Sequence, residues 1–210
     1  MFGICIILIL TGLLVYKNIQ NHKEELMPNL ENKLILMVIA YKDFRDEEYF
    51  KTRQVFDVAG AKIKIASTKI GEAIGADGNS VETEILIKDA NPKDYDAVVF
   101  IGGSGALIYL DNEDSYNLVK ETITNNKVLA AICISPVILA KAGVLKGKKV
   151  TVWTSPTDKS AVKILEENGA IFINELTVID GTIVTGNGPS ASKEFAMKVS
   201  EVLTRQQIRP

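Results

Sequence analysis

The sequence predicts an α/β fold built on a mostly parallel sheet with helices on both faces, and three observations carry that prediction. Apolar runs of strand length alternate with helical stretches along most of the chain. The runs LILMVIA (34–40), AVVFI (97–101) and KVLAAI (127–132) lack the polar alternation of a half-exposed strand, so each is buried on both faces. Glycines stand where the helical stretches should stop, Gly60 after the first and Gly143 after a later one.

The amino terminus stands apart from that pattern. Residues 1–17, MFGICIILILTGLLVYK, carry no charged side chain before Lys17. As a helix, residues 2–16 would reach about 22 Å, short of the roughly 30 Å hydrocarbon layer, with Tyr16 and Lys17 placed to extend it at the interface. A cleaved secretory signal has the same length. The missing basic residue ahead of the run and the missing A-x-A-like site after it favour a retained membrane anchor. Lys17 and Lys23 follow the segment, and that bias favours a cytoplasmic domain. Residues 18–33 are polar, hold Pro28, and read as a linker to a domain over 34–205.

Within that domain the elements follow in order. The strand at 34–40 leads to a helix at 46–59 and an alternating strand KIKIAS at 62–67. Residues 68–80 hold three glycines and read as loop or hairpin, with a further strand at 81–87. After the strand at 97–101 comes a helix at 112–125, with Asn112 suited to its start. The strand at 127–132 leads to a helix at 136–142, with Ser135 as its predicted cap. Strands at 148–153 and 170–174 flank a helix at 156–168, LTVIDGTIVTG forms a hairpin through Asp180-Gly181, and a helix at 192–203 closes the chain.

Bulk chemistry narrows the function. Apolar residues make up 47% and charged residues 24%, with a net charge of −2 and no basic stripe, which excludes a nucleic-acid surface. Cys5, Cys133 and His22 are the only soft ligands and are far apart, so neither a disulfide framework nor a zinc site is expected, and no cofactor is implied.

Ligands in open α/β sheets bind beyond the carboxyl ends of the strands. Three such ends carry suggestive residues: Asp43, Asp46, Glu47 and Glu48 after the first strand, GGSGA (102–106) after the 97–101 strand, and Cys133 after the 127–132 strand. Cys133 sits at an abrupt strand-to-helix change, the setting of a nucleophile elbow, where the N–H groups that follow would favour a thiolate. A buried small hydrophobe is the competing reading. The glycines let backbone amides approach a developing oxyanion, or they serve only a tight turn. A dinucleotide fingerprint is disfavoured, because Ile108 stands where its third glycine belongs.

VVFIGGSGA, then VLAAICISP, LKGKKVTVW and VIDGTIVTGNGPSAS together resemble the ThiJ/PfpI superfamily, which includes intracellular proteases and protein deglycases. The resemblance spans residues 33–203. It implies a flavodoxin-like three-layer sandwich, similar to class I glutamine amidotransferases, and a homodimer; the hydrophobic helix that precedes the domain lies outside the resemblance. It puts the nucleophile on Cys133 and the acid that hydrogen-bonds its sulfur on Glu48, with Glu47 as the neighbouring alternative. The backbone amides of Gly103, Ser104 and Ile134 would line the site. Two departures stand out. Ile134 and Trp153 occupy the places where relatives carry histidine, and His22 lies in the linker. Without a Cys-His pair, peptide cleavage lacks a proton donor for its leaving nitrogen. Addition to a small reactive carbonyl, or oxidation by a peroxide, makes no such demand. Three functions follow: a membrane-tethered carbonyl enzyme or redox sensor, a PfpI-like peptidase completed by a partner's histidine, and a non-catalytic binding module.

Overall fold

A computed structural model describes residues 28–207. The anchor at 1–17, Cys5, His22 and most of the 18–33 linker lie outside the described residues. Among the described residues no helix is long and apolar enough to cross a membrane.

The core is a seven-stranded sheet of β1 (Leu34–Val38), β3 (Lys62–Ser67), β6 (Ile85–Leu86), β7 (Ala97–Phe100), β8 (Val128–Ile132), β11 (Thr177–Asp180) and β12 (Ile183–Gly186). Their spatial order is β11-β12-β8-β7-β1-β3-β6, with every pair parallel except the β11–β12 hairpin. The uninterrupted apolar runs are the central strands, as full burial requires. Ile35 to Val38, Ala97 to Phe100 and Val128 to Ile132 have no solvent exposure. Two groups of helices cover the faces. α1 (Asp46–Val58) packs on α6 (Ser192–Gln207), while α3 (Glu113–Thr124) packs on α4 (Pro136–Lys141), and α4 on α5 (Ser160–Glu167). Gly60 and Gly143 adopt positive φ behind α1 and α4. Asn112 Oδ1 accepts from Ser115 N at the start of α3, as its residue type predicts.

Three elements differ from expectation, each for a local reason. The strand expected at 81–87 is divided. β5 (Ser80–Thr83) pairs antiparallel with β4 (Gly71–Gly75), which is joined by β2 (Lys42–Phe44) in a separate three-stranded sheet, and only Ile85–Leu86 reaches the main sheet. Thr83 ends β5 by turning its hydroxyl to the Lys69 and Gly71 carbonyls. The strand expected at 148–153 survives only as β9 (Lys149–Val150), paired with β10 (Ile171–Phe172) outside the main sheet. Its ladder stops where Thr151 N donates instead to the Thr185 hydroxyl. The helix expected from 156 starts at Ser160, because Ser155 and Asp158 close a turn on each other and Asp158 Oδ1 accepts from Ser160 N. A short helix, α2 (Ala106–Tyr109), follows the glycine turn unannounced by any periodicity.

Candidate functional site

Parallel register brings the three suspected strand ends to one edge. Val38 pairs with Phe100 and Phe100 with Ala131, so the chain leaves β1, β7 and β8 side by side. The glycine turn then folds against the segment after β1. Gly102 O accepts from Arg45 N at 2.9 Å, and Asp43 O accepts from Gly105 N at 3.0 Å. A Cβ on Gly103, whose φ is 120°, would collide with the Arg45 and Asp43 backbone, and one on Gly105 with the Lys42 carbonyl. Close backbone approach is therefore why glycines stand here. It also leaves the N–H groups of Gly103 and Ser104 without a backbone acceptor among the described residues.

Cys133 has φ 63°, a left-handed conformation that a side-chain-bearing residue adopts only when its surroundings compel it. Two hydrogen bonds compel it: its N donates to Gly186 O at 2.9 Å, and its carbonyl accepts from Trp153 N at 2.8 Å. The thiol is free and half-buried, with the Gly103 and Ile134 amides donating toward the sulfur. Ser135, expected to cap α4, makes no cap bond. Its hydroxyl donates to Ile101 O at 2.9 Å, tying the residue after β7 to the elbow.

The acids after β1 separate by environment. Glu47 is exposed and ion-paired with Lys51. Burial opposes ionisation of Asp46, but bonds from Asp77 N and from the backbone and side chain of Asn79 outweigh it, so its carboxyl is held below the usual range. Asp46 thus fastens the β4–β5 hairpin to the start of α1. Glu48 points inward, fully buried beside Cys133. Its Oε2 accepts from Gly102 N at 3.0 Å, while Oε1 has no hydrogen-bond partner of ordinary geometry. Gly102 is wedged between the two groups: a Cβ there would lie 2.7 Å from Glu48 Oε2 and closer still to Cys133 Cβ.

Burial raises the Glu48 carboxyl to about 7, against weaker pulls from Cys133, Gly102 N and Arg45. Burial likewise pushes the Cys133 thiol far above its ordinary value, and the adjacent carboxylate adds to the push. The amides of Gly103 and Ile134 act in the direction expected from the elbow, toward a thiolate, but desolvation outweighs them. A sulfur standing permanently ionised is thus not the resting arrangement. Near neutrality the pair therefore carries at most one negative charge, on the carboxyl rather than the sulfur.

A cleft of about 390 Å³ opens over this pair, lined by Arg45, Ala76, Gly103, Ser104, Leu107, Cys133, Ile134 and Trp153. Both positions where a histidine was looked for, Ile134 and Trp153, face this cleft and neither can carry a proton for catalysis. Gly188 packs near Trp153, a Cβ there lying 3.6 Å from its ring, so the Asn187-Gly188-Pro189 loop borders the cleft. Asn187 is not among the lining residues. No cluster of three His, Cys, Asp or Glu within reach of one metal ion occurs among the described residues. Arg45 and Leu107 were not singled out from sequence. Arg45 directly precedes the acidic run, and only the fold turns it toward the cysteine.

Known proteins place this architecture. The sequence model of the DJ-1/PfpI family matches residues 33–202. A protein of Methanocaldococcus jannaschii is 42% identical over 203 residues, covering 96% of this chain and 97% of its own. The deglycase PfpI of Pyrococcus furiosus is 29% identical over 154 residues, 73% of this chain and 90% of that one. The crystal structure of a ThiJ/PfpI domain protein from Brachyspira murdochii superposes with a TM-score of 0.78 at 35% identity, covering 84% of this chain and 99% of its own.

Proposed function

This chain belongs to the DJ-1/PfpI family, and from that premise we propose that Cys133 adds to the aldehyde carbon of small 2-oxoaldehydes, with Glu48 carrying the proton. The observation that supports this most is the unpartnered Glu48 Oε1, buried beside a thiol at a strained elbow. An orphaned acceptor and a left-handed non-glycine residue each cost about 1–3 kcal/mol, and a purely structural site has no reason to keep both together.

In the reaction the sulfur lone pair forms the S–C1 bond while the C1=O π electrons move onto oxygen. The thiol proton passes to Glu48. The amides of Gly103 and Ser104, with Ile134 N near the sulfur, stabilise the oxyanion until Glu48 returns the proton and a hemithioacetal results. Glu48 then takes the C1 hydrogen as a proton and delivers it to C2, while the hydroxyl proton moves from the C1 oxygen to the C2 oxygen. This shift oxidises C1 and reduces C2 within the same molecule, leaving a 2-hydroxyacyl thioester. Water cleaves the thioester to the 2-hydroxy acid and regenerates the thiol. No external oxidant is needed.

Burial of the thiol favours this reading over peroxide sensing, which depends on a standing thiolate. The name of the Pyrococcus furiosus relative, a deglycase, agrees with carbonyl chemistry. Peptide cleavage lacks the histidine it would need, since neither Ile134 nor Trp153 can protonate an amine. We further propose that residues 2–16 anchor the protein in the lipid bilayer with the domain in the cytoplasm. The Methanocaldococcus jannaschii alignment covers 96% of this chain and so runs past residue 33 into that segment, which supports a shared amino-terminal part. A homodimer has an apolar surface to close on at Phe50 and Val58 of α1, 42% and 67% exposed.

The test is turnover of methylglyoxal to lactate by the full chain in mild detergent. Cys133→Ser should abolish it, and Glu48→Gln should lower it about 10²-fold or more. Lactate formation that survives Cys133→Ser, or none by the wild type, overturns the assignment.

A further inference from the structure

Trp153 is a large apolar side chain left 36% exposed at the cleft over Cys133. Its backbone is fixed where it leaves β9. Thr151 N donates to the Thr185 hydroxyl, Val152 is fully buried, and Trp153 N donates to Cys133 O at 2.8 Å. The hydrogen bond that holds the elbow therefore also sets where the indole starts, so little freedom remains to be lost when a ligand covers it. Leu107 of α2 and Ile134 of the elbow line the same cleft, and both are half-buried. Among the cleft-lining residues Arg45 alone is charged, and its guanidinium lies 4.0 Å from Asp77. A cleft of about 390 Å³ lies in the range that takes drug-sized ligands, and a three-carbon 2-oxoaldehyde fills only a small part of it.

We propose that the cleft selects 2-oxoaldehydes carrying a large apolar group on C2, an aromatic ring above all, with Trp153 as the specificity residue. The inference rests on the carbonyl reading of Cys133 and names the substrate class for that site. Every member of the class keeps the C2 ketone, so the proton shift from C1 to C2 proceeds unchanged. C1 is bonded to the sulfur and C2 receives the proton from Glu48, which leaves the C2 substituent as the part free of the reacting centre. Beside Cys133 the inner side is closed, since Glu48 is fully buried and Gly102 lacks room even for a Cβ. The substituent therefore extends into the cleft, where Leu107, Ile134 and Trp153 remove it from water. An aromatic ring gains further by pairing with the indole, beyond what buried area alone supplies. A methyl group is too small to gain much of either.

Phenylglyoxal and methylglyoxal share the C1 aldehyde and the C2 ketone and differ only in phenyl against methyl. Initial rates of mandelate and lactate formation by the full chain in mild detergent give kcat/KM for each. The wild type should favour phenylglyoxal about tenfold or more. Trp153→Ala keeps the backbone bond to Cys133 and should lower the ratio of the two kcat/KM values about tenfold. The loss should fall on KM for phenylglyoxal, with methylglyoxal moving less than twofold. Trp153→Phe should keep most of the preference. Trp153→Leu should fall between, and it carries the comparison if the alanine chain does not fold. Comparing the ratio between variants cancels the intrinsic difference in reactivity of the two aldehydes. No preference in the wild type, a preference that survives loss of the ring, or equal changes for both aldehydes in a folded variant overturns the specificity role and leaves the Cys133 reading standing. No turnover of either aldehyde by the wild type overturns the carbonyl reading and this proposal with it.

Discussion

Replacing Glu48 with glutamine separates the cost of burying an acid from everything else the side chain does. In the folded protein the carboxyl moves from 4.5 to about 7, with burial the leading cause. At about 1.4 kcal/mol per unit, that shift corresponds to about 3 kcal/mol. The side chain is fully buried, so solvent screening takes little from this figure. Between these two values the native state binds a proton that the unfolded chain has already released. Stability contributed by protonated Glu48 is therefore full below pH 4.5 and is lost as pH rises through about 7. The argument holds whichever atom of the pair gives up the proton. Glu48→Gln cannot ionise, so its stability relative to wild type should improve by about 3 kcal/mol between pH 4.5 and pH 8. For a domain of this size that is about 6–12 °C in relative Tm. Thermal melts of both full chains, followed by circular dichroism at several pH values, give the difference directly. A wild-type-minus-variant Tm that stays flat across that range would refute the claim that the buried carboxyl titrates late.

Iodoacetamide labelling of Cys133 in the wild type should rise only well above the free-thiol value of about 8.5, because burial and the adjacent Glu48 carboxylate both oppose the thiolate. In Glu48→Gln the midpoint should move down, since the carboxylate's push on the thiol is gone, and an unchanged midpoint would show the two groups to be uncoupled. Gly102→Ala forces a methyl group between Cys133 and Glu48 and should cost about 2 kcal/mol or more in denaturant unfolding; a neutral outcome would place the two side chains apart. Ser135→Ala leaves the Ile101 carbonyl short of a donor and should cost about 1–2 kcal/mol, whereas a capping role for the hydroxyl would be seen as local fraying of α4 in amide exchange.

Much of the fold was legible because central strands of a parallel sheet have a simple chemical requirement. Strands buried on both faces must be apolar throughout, and the runs beginning at Leu34, Ala97 and Val128 meet that requirement without help from neighbours. Helix stops at Gly60 and Gly143 and the Asp180-Gly181 hairpin were equally local, since each depends on one residue's access to positive φ. The misplaced elements lie at the periphery. Residues 81–87 alternate as any half-exposed strand does, and nothing in that pattern says which sheet they join. The Ser135 hydroxyl was assigned by local preference to a cap, but a carbonyl 34 residues earlier competed for it and won.

The residues of the elbow and the turn could be named from sequence because a cysteine after an apolar run and glycines after another are visible in one dimension. Proton placement could not be read that way. Desolvation of Glu48 and Cys133 depends on how many atoms the rest of the chain packs around them, and on the parallel register that sets three strand ends side by side. The same register sets Glu48, the acid the family resemblance singled out, beside the cysteine and brings Arg45 into the cleft. Sequence alone determined the layers and the cysteine at the strand-to-helix elbow. Tertiary packing decided how deeply its thiol is buried and which side chains surround it, because burial and distance are properties of the assembled chain.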